Sequence, residues 1–221
     1  MAPIQWKNSV AVLPFKNISS EPNQDYFCDG MTEQLISNLA NLKDLKVIAR
    51  TSIMLYKNSS KDIRQIAKEL NVSNVLEGSV RKSGNQVRIT AQLINAVDGS
   101  HLWAQNYDRA LKDIFKLQDE VSQKIAESLQ VAVGSQVIDT AQKTKPQKID
   151  AYNYYLKAKY VLFNKFYVSY TEKDLTEALS YAEKSIEIDP EYALGYAIIA
   201  RSDSGRTGPY LYARFAYCSA F

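Results

Sequence analysis

Residues 74–109, NVLEGSVRKSGNQVRITAQLINAVDGSHLWAQNYDR, decide the fold of this chain. Apolar and polar side chains alternate with a period of two, broken at Lys82–Asn85 and again at Asp98-Gly99. The pattern predicts three successive antiparallel strands, a meander. A first hairpin centred on Ser83-Gly84 sets Val80 opposite Val87, Gly78 opposite Ile89 and Leu76 opposite Ala91. The other face then pairs Arg81 with Gln86, Ser79 with Arg88 and Glu77 with Thr90, as a sheet buried on one side requires. A two-residue turn at Asp98-Gly99, where both residue types tolerate positive φ, sets Leu93 opposite Ala104, Ile94 opposite Trp103 and Thr90 opposite Tyr107. That register puts Trp103 and Tyr107 on the polar face with Glu77 and Arg88. Such a face is either covered by a helix of the same chain or is a protein-contact face.

Working outward, VAVLPF (Val10–Phe15) reads as an interior strand ended by Pro14. Met31, Leu35, Leu39 and Leu42 recur at helical spacing, with Asp25, Asp29 and Glu33 at the amino end, where the helix dipole favours anions. Leu45–Arg50 reads as a second strand. Ile63, Ile66, Ala67 and Leu70 mark a short helix that Ser60 is placed to cap. Beyond the meander, Asp113 caps a helix whose stripe, Ile114, Leu117, Val121, Ile125 and Leu129, runs to about Val133. The expectation is an α/β (α+β) domain over 9–135, with a mixed sheet that contains the meander.

Residues 136–148 are polar and carry Pro146, as a linker does. From Ile149 tyrosines crowd a helical pattern, and a second helix spans Thr171–Ile188 before Asp189-Pro190. Large aromatics with small alanines at this spacing suit a helical hairpin over 149–200. Residues 201–221, RSDSGRTGPYLYARFAYCSAF, hold Gly205, Gly208 and Pro209 where a further helix should continue. They are expected to be an atypical, truncated or frame-shifted tail.

With 221 residues the chain holds one large or two modest domains. A net charge of +3 is too small to argue for nucleic acid or an anionic membrane. The two cysteines, Cys28 and Cys218, allow no disulfide framework and no cysteine-rich metal site. No uncharged apolar run reaches the roughly 18 residues of a spanning helix, so the chain as written is expected to be soluble and unexported.

The residues that carry chemistry are few. His101, the one histidine, follows a hairpin turn, and a nucleophilic Cys28–His101 pair weighs far less than structural roles for both. Asp25, Asp29 and Glu33 are better read as helix-start carboxylates than as a divalent-metal cluster. Gly78, Gly84 and Gly99 serve strand packing and turns, and no GxGxxG or P-loop follows a strand. Catalytic residues, metal and cofactor are therefore all expected to be absent.

Two stretches resemble known families. SVAVLPFKNIS, DYFCDGMTEQLISNL, LKVIARTS, VLEGSVRKSGNQVRITAQLINAVDGSHLW and YDRALKDIFKLQDEV are similar, in this order, to the TolB amino-terminal-like domain, which is related to FlgO-like domains. The resemblance implies helices against a mixed sheet, in a bacterial multidomain protein that also carries tetratricopeptide repeats and a cyclase, kinase or winged-helix domain. EALSYAEKSIEIDPEYALGYAIIA resembles a tetratricopeptide repeat through Ala178, Ser185 and Pro190, and Tyr196 begins a second repeat. The gap from Ala158 to Ala178 implies an insertion in the helix connection.

The expected function is a non-enzymatic protein-interaction or sensory module of a bacterial signalling protein, with a protein partner and a possible homo-oligomer. Two alternatives stand beside it: a fragment of a protein linked to a class III adenylate or guanylate cyclase, and a small-molecule-binding regulatory domain. The resemblance also allows an extracytoplasmic location if a membrane helix precedes the chain.

Overall fold

The computed structural model describes residues 8–131 and 146–207, which fall in two units. The first is a mixed α/β unit. Its strands are β1 Ser9–Val12, β2 Lys16–Asn17, β3 Lys46–Val47, β4 Asn74–Ser83, β5 Gln86–Asn95 and β6 His101–Ala110. Its helices are α1 Asp25–Ala40, α2 Arg50–Ile53, α3 Ile63–Leu70 and α4 Ile114–Ser128. The sheet order is β3-β1-β4-β5-β6, with β1 and β3 parallel to one another and β1 parallel to β4; β2 pairs with β4 beyond the end of β1.

β1 and β2 are one strand path interrupted at Leu13–Phe15. Pro14 has no N–H to give the ladder, so pairing stops after Leu13 N–H donates to Leu76 O and resumes where Ile18 N–H donates to Val80 O. The freed Phe15 N–H donates to Thr32 Oγ1 at 3.0 Å, and that hydroxyl donates to Cys28 O at 2.9 Å. The break thus couples the strand to α1. It also lays the Phe15 ring over Gly78, where a Cβ would collide with both the ring and Thr90 O.

The meander is present, with two changes of register. The first turn is Gly84-Asn85, not Ser83-Gly84, because Gly84 supplies the positive φ (+53°) at its first position. Ser83 therefore pairs with Gln86, Val80 with Ile89, Gly78 with Ala91 and Leu76 with Leu93. A shift of two residues keeps every side chain on its expected face. The second connection is not a two-residue turn: Asn95 and Asp98 side chains accept from the amides of Val97 and Ser100 and hold a loop over 96–100. The register then shifts between Leu93 and Ile94, so that Ile94 faces His101 but Leu93 faces Trp103 and Ile89 faces Tyr107. An odd shift exchanges faces. Trp103 and Tyr107 accordingly lie on the apolar face, opposite to Glu77 and Arg88, which corrects the expected four-residue contact face.

On that apolar face α1 and α4 pack against the sheet and each other. Ile114, Leu117, Val121 and Ile125 of α4 and Met31, Leu35 and Leu39 of α1 are fully buried, along with Val10, Val12, Leu76, Val80, Ile89 and Leu93. α3 lies with the opposite face, where Ile66 and Ala67 join Ala11, Leu13, Ile53, Val72 and Val75 in a smaller core. Its cap is Asp62, which accepts from Arg64 N–H at 2.9 Å, in place of Ser60. Asp113 precedes α4 without a capping bond and pairs with Lys116. α4 ends at Ser128, and Gln130 takes a positive φ, earlier than the expected end near Val133.

The second unit is helical: α5 Ile149–Val161, α6 Glu172–Ile188 and α7 Ala193–Thr207. The insertion expected between α5 and α6 does not loop out. Leu162–Phe166 continues α5 as a π-helical segment and Tyr167–Ser169 as a last turn, until Tyr170 takes a positive φ. Thr171 then caps α6 by accepting from Asp174 N–H. Ala151, Ala158, Ala178, Ala182 and Ser185 are buried, and Ser185 Oγ donates to Ala151 O at 2.8 Å across the α5–α6 contact. Pro190 is exposed just past α6, and Tyr196 is half-exposed on α7. The expected break at residue 201 does not occur: α7 runs to Thr207, with Ser202 buried and its hydroxyl donating to Ile198 O. Residues 136–145 of the expected linker and 208–221 of the expected tail lie outside the described residues.

Candidate functional site

The face that carries Glu77 and Arg88 is open over part of its area, and a cleft of about 590 Å³ lies there. Its floor is the polar side of β4 and β5: Glu77 opposite Gln92 and Ser79 opposite Thr90. One wall is apolar, formed by Leu13, Pro14, Ile18, Ile63 and Ile66. The rim is Lys16, Asn17 and Asp25 on one side and residues of the 56–61 loop on the other. Strand alternation explains the floor, since β4 places Glu77 and Ser79 on one face and Leu76, Gly78 and Val80 on the other. The break at Pro14 explains the rim, because one extra residue between the Val12–Leu76 and Lys16–Ser79 pairings brings Lys16 to the face of that floor.

The 56–61 loop is held on both sides. Lys57 Nζ donates to both oxygens of Asp29, at 2.7 and 2.8 Å, and Asp29 is almost fully buried. Lys61 Nζ and Tyr56 Oη donate to Glu69 on α3. These bonds, that to Lys61 first, hold the Glu69 carboxyl down at about 2. Asn58, at φ +63°, makes the bend between these two anchors.

Of the three carboxylates expected at the start of α1 only Asp25 lies in its first turn, and the three go to different partners. Asp25 accepts from Asn17 Nδ2 at 3.0 Å, Asp29 takes Lys57 and Glu33 takes Arg50. No group of His, Cys, Asp and Glu among the described residues is arranged to hold a metal ion. Cys28 is buried on α1, and burial first, then Asp25 and Asp29, pushes its thiol up to about 12. A thiol held protonated is a poor nucleophile, and His101 is exposed at the start of β6. In a Cys218→Ser background, Cys28 is expected to react with an aromatic disulfide at pH 8 about a hundredfold or more slower than in the urea-unfolded chain. Comparable rates in the two states would show a reactive thiol instead.

Of the expected contact residues, Glu77 lines the cleft floor. Arg88 lies further along β5, in a bidentate pair with Asp108 at 2.6 and 3.0 Å. Tyr107 is 1% exposed, its ring 6.3 Å from that of Trp103, and Arg109 beside it reaches Glu120 of α4 at 3.0 Å. The sequence reading missed Lys16, Ser79 and Gln92 as cleft residues. Alternation places Ser79 and Gln92 on the polar face, but Lys16 reaches it only because Lys16 pairs with Ser79 after the Pro14 break.

The fold and cleft define a mixed α/β domain that is open on one sheet face. Residues 6–128 match the HilA/YgeH-like transcriptional regulator, second domain, and the chain belongs to that family. It is also 40% identical over 200 residues to "Putative adenylate cyclase 3" of Rhizobium meliloti (strain 1021), a match that covers 89% of this chain and 33% of that protein. The chain thus spans about a third of this relative's length. Solved structures with a similar fold include the LpoB C-terminal domain from Salmonella enterica (16% identical, TM-score 0.40, 49% of this chain and 87% of that one). Others are TolB from Acinetobacter baumannii (14%, 0.42, 55% and 28%) and lipoprotein GNA1162 from Neisseria meningitidis (19%, 0.41, 55% and 98%). Among the described residues no helix is long and apolar enough to cross a membrane.

Proposed function

We propose that this chain is a non-catalytic input module of a larger bacterial signalling protein, in which the α/β unit receives a small molecule. The observation that carries this reading is the cleft, which joins an apolar wall to a polar floor at a volume usual for small-molecule sites. The comparisons add support. The domain belongs to a family named for transcriptional regulators and is shared with a protein named as a cyclase. What two unlike outputs have in common is more simply an input than either output.

The helical unit is the start of a tetratricopeptide-like array that contacts a protein partner. Supporting this, Ala178 and Ser185 sit in the α5–α6 seam, Pro190 follows α6, and Gly195 lets α7 approach Ile186, where a Cβ would come within 2.6 Å.

The test is a thermal-shift screen of soluble metabolites on the 221-residue chain and on a Ser79→Phe variant that fills the cleft. A ligand at a hundred times its Kd stabilises by about 2.7 kcal/mol, so binders are expected to raise Tm in the parent chain and not in the variant. If no compound separates the two proteins, the reading fails. A second reading, that this chain itself forms cyclic nucleotide, is favoured by its identity to the Rhizobium meliloti protein. Incubation with ATP and magnesium or manganese is expected to yield no cyclic AMP; steady turnover would overturn the input reading.

A further inference from the structure

The charges around the cleft are not equally available. Lys57 is engaged by Asp29, Lys61 by Glu69, and Asp25 accepts a bond from Asn17. Glu77 and Lys16 also line the cleft, yet neither makes an ion pair or a side-chain hydrogen bond with any described residue. Their placement follows from the register. Lys16 pairs with Ser79, and Glu77 stands two residues before Ser79 on the same face of β4. A strand spacing of ~4.8 Å and a rise of ~3.3 Å per residue put their Cα atoms roughly 8 Å apart on a diagonal. Ser79 and Gln92, beside them on the floor, likewise make no side-chain hydrogen bond to a described residue.

We propose that the cleft takes a small zwitterion, with its ammonium group on the Glu77 carboxylate, its carboxylate on the Lys16 ammonium, and an apolar side chain against Leu13, Ile63 and Ile66. This deepens the input reading and rests on it. Three features select the class. On adjacent strands of the floor, the Glu77 carboxylate and the Lys16 ammonium match a ligand that carries one charge of each sign, while the Asp25 carboxylate at the rim, bonded to the neutral Asn17 amide, adds a second negative charge. A polyphosphate needs several free cations or a cradle of backbone N–H groups, whereas here Glu77 and Asp25 oppose it and, of the lining lysines, Lys57 and Lys61 are paired and Lys16 has no ion pair with a described residue. A polyol leaves both charges unanswered and the apolar wall uncovered. Free amino acids with branched side chains and short peptides built from them are the compounds that fit.

Isothermal titration of the full chain tests this with leucine and leucyl-leucine, against 3-methylbutylamine and 4-methylpentanoate, which are the leucine skeleton with one charge removed. ATP, cyclic AMP and glucose complete the set. One or both zwitterions are expected to bind, each singly charged analogue at least tenfold more weakly. Glu77→Gln and Lys16→Met are each expected to weaken zwitterion binding at least tenfold, with an unchanged circular dichroism spectrum and unfolding midpoint. Which of the two zwitterions binds tells a free amino acid from a peptide terminus. Equal binding of a zwitterion and its singly charged analogues, or binding that survives Glu77→Gln, overturns the proposal. If ATP, cyclic AMP or glucose binds instead and Ser79→Phe abolishes it, the zwitterion is wrong and the cleft reading stands. If none binds here and no compound separates the parent from Ser79→Phe in the thermal screen, both are wrong.

Discussion

Tyr107→Ala is expected to destabilise the α/β unit by about 3–5 kcal/mol, the range for deleting a fully buried aromatic ring. Tyr107→Phe is expected to leave stability unchanged or to raise it. The contrast follows from the site. The ring is buried on the face covered by α4, while its hydroxyl is buried without a hydrogen-bond partner among the described residues. Burial, with the Glu120 carboxylate adding to it, pushes the phenol up to about 12. Removing an unpaired buried hydroxyl relieves a desolvation cost, whereas removing the ring leaves a cavity. Urea unfolding of the three proteins measures both effects. A loss below about 1 kcal/mol for Tyr107→Ala would return Tyr107 to the surface role that the uncorrected register assigns, since surface changes stay within about 0.5 kcal/mol.

Gly78→Val is expected to prevent folding of the α/β unit. Gly78→Ala is expected to cost about 3 kcal/mol, the upper end of the usual cost of overpacking. A Cβ at this position meets two obstacles of different kinds, the Phe15 ring and the backbone oxygen of Thr90. A side chain can yield and a central strand cannot. Phe15→Leu is therefore expected to recover only part of the loss caused by Gly78→Ala, and a double-mutant cycle reads the recovered share as a coupling between the two sites. Full recovery would show that the ring alone sets the constraint. Failure of Gly78→Ala to destabilise at all would mean that β4 and β5 can separate at this point. The same crossing carries Ser79 and Glu77, so loosening it is also expected to widen the cleft.

Much of the α/β unit follows from local pattern. The alternation in 74–109 identifies three strands, and the stripe from Ile114 to Ile125 identifies a helix that is buried as expected. In the first hairpin a one-residue error in the turn shifted the register by two and left every face assignment intact, because the side-chain period is two. In the second hairpin, loop length and a register shift depend on how Asn95 and Asp98 hold backbone amides, and the resulting odd shift moved Trp103 and Tyr107 to the opposite face. The Ser60 cap failed for a related reason. Several polar side chains precede α3, and which of them accepts from its first amides is decided by the path of the loop. In the helical unit, the excess length before Thr171 was visible as spacing, but only the π-helical segment shows that it lengthens α5.

The sequence by itself determined the three meander strands, the longer helices and the polarity of both faces of the first hairpin, since all of these are properties of spacing along one segment. Only the tertiary structure decided which faces are covered and which charges stay unpaired. Glu77 was legible as a polar-face residue. That its carboxylate lies in a cleft with Lys16 across the Pro14 break, while Lys57 and Lys61 are drawn off to Asp29 and Glu69, depends on pairings between residues far apart in the chain. Contacts of that kind are set by where the strand path breaks and how the loops close, and hydrophobic periodicity does not encode either one.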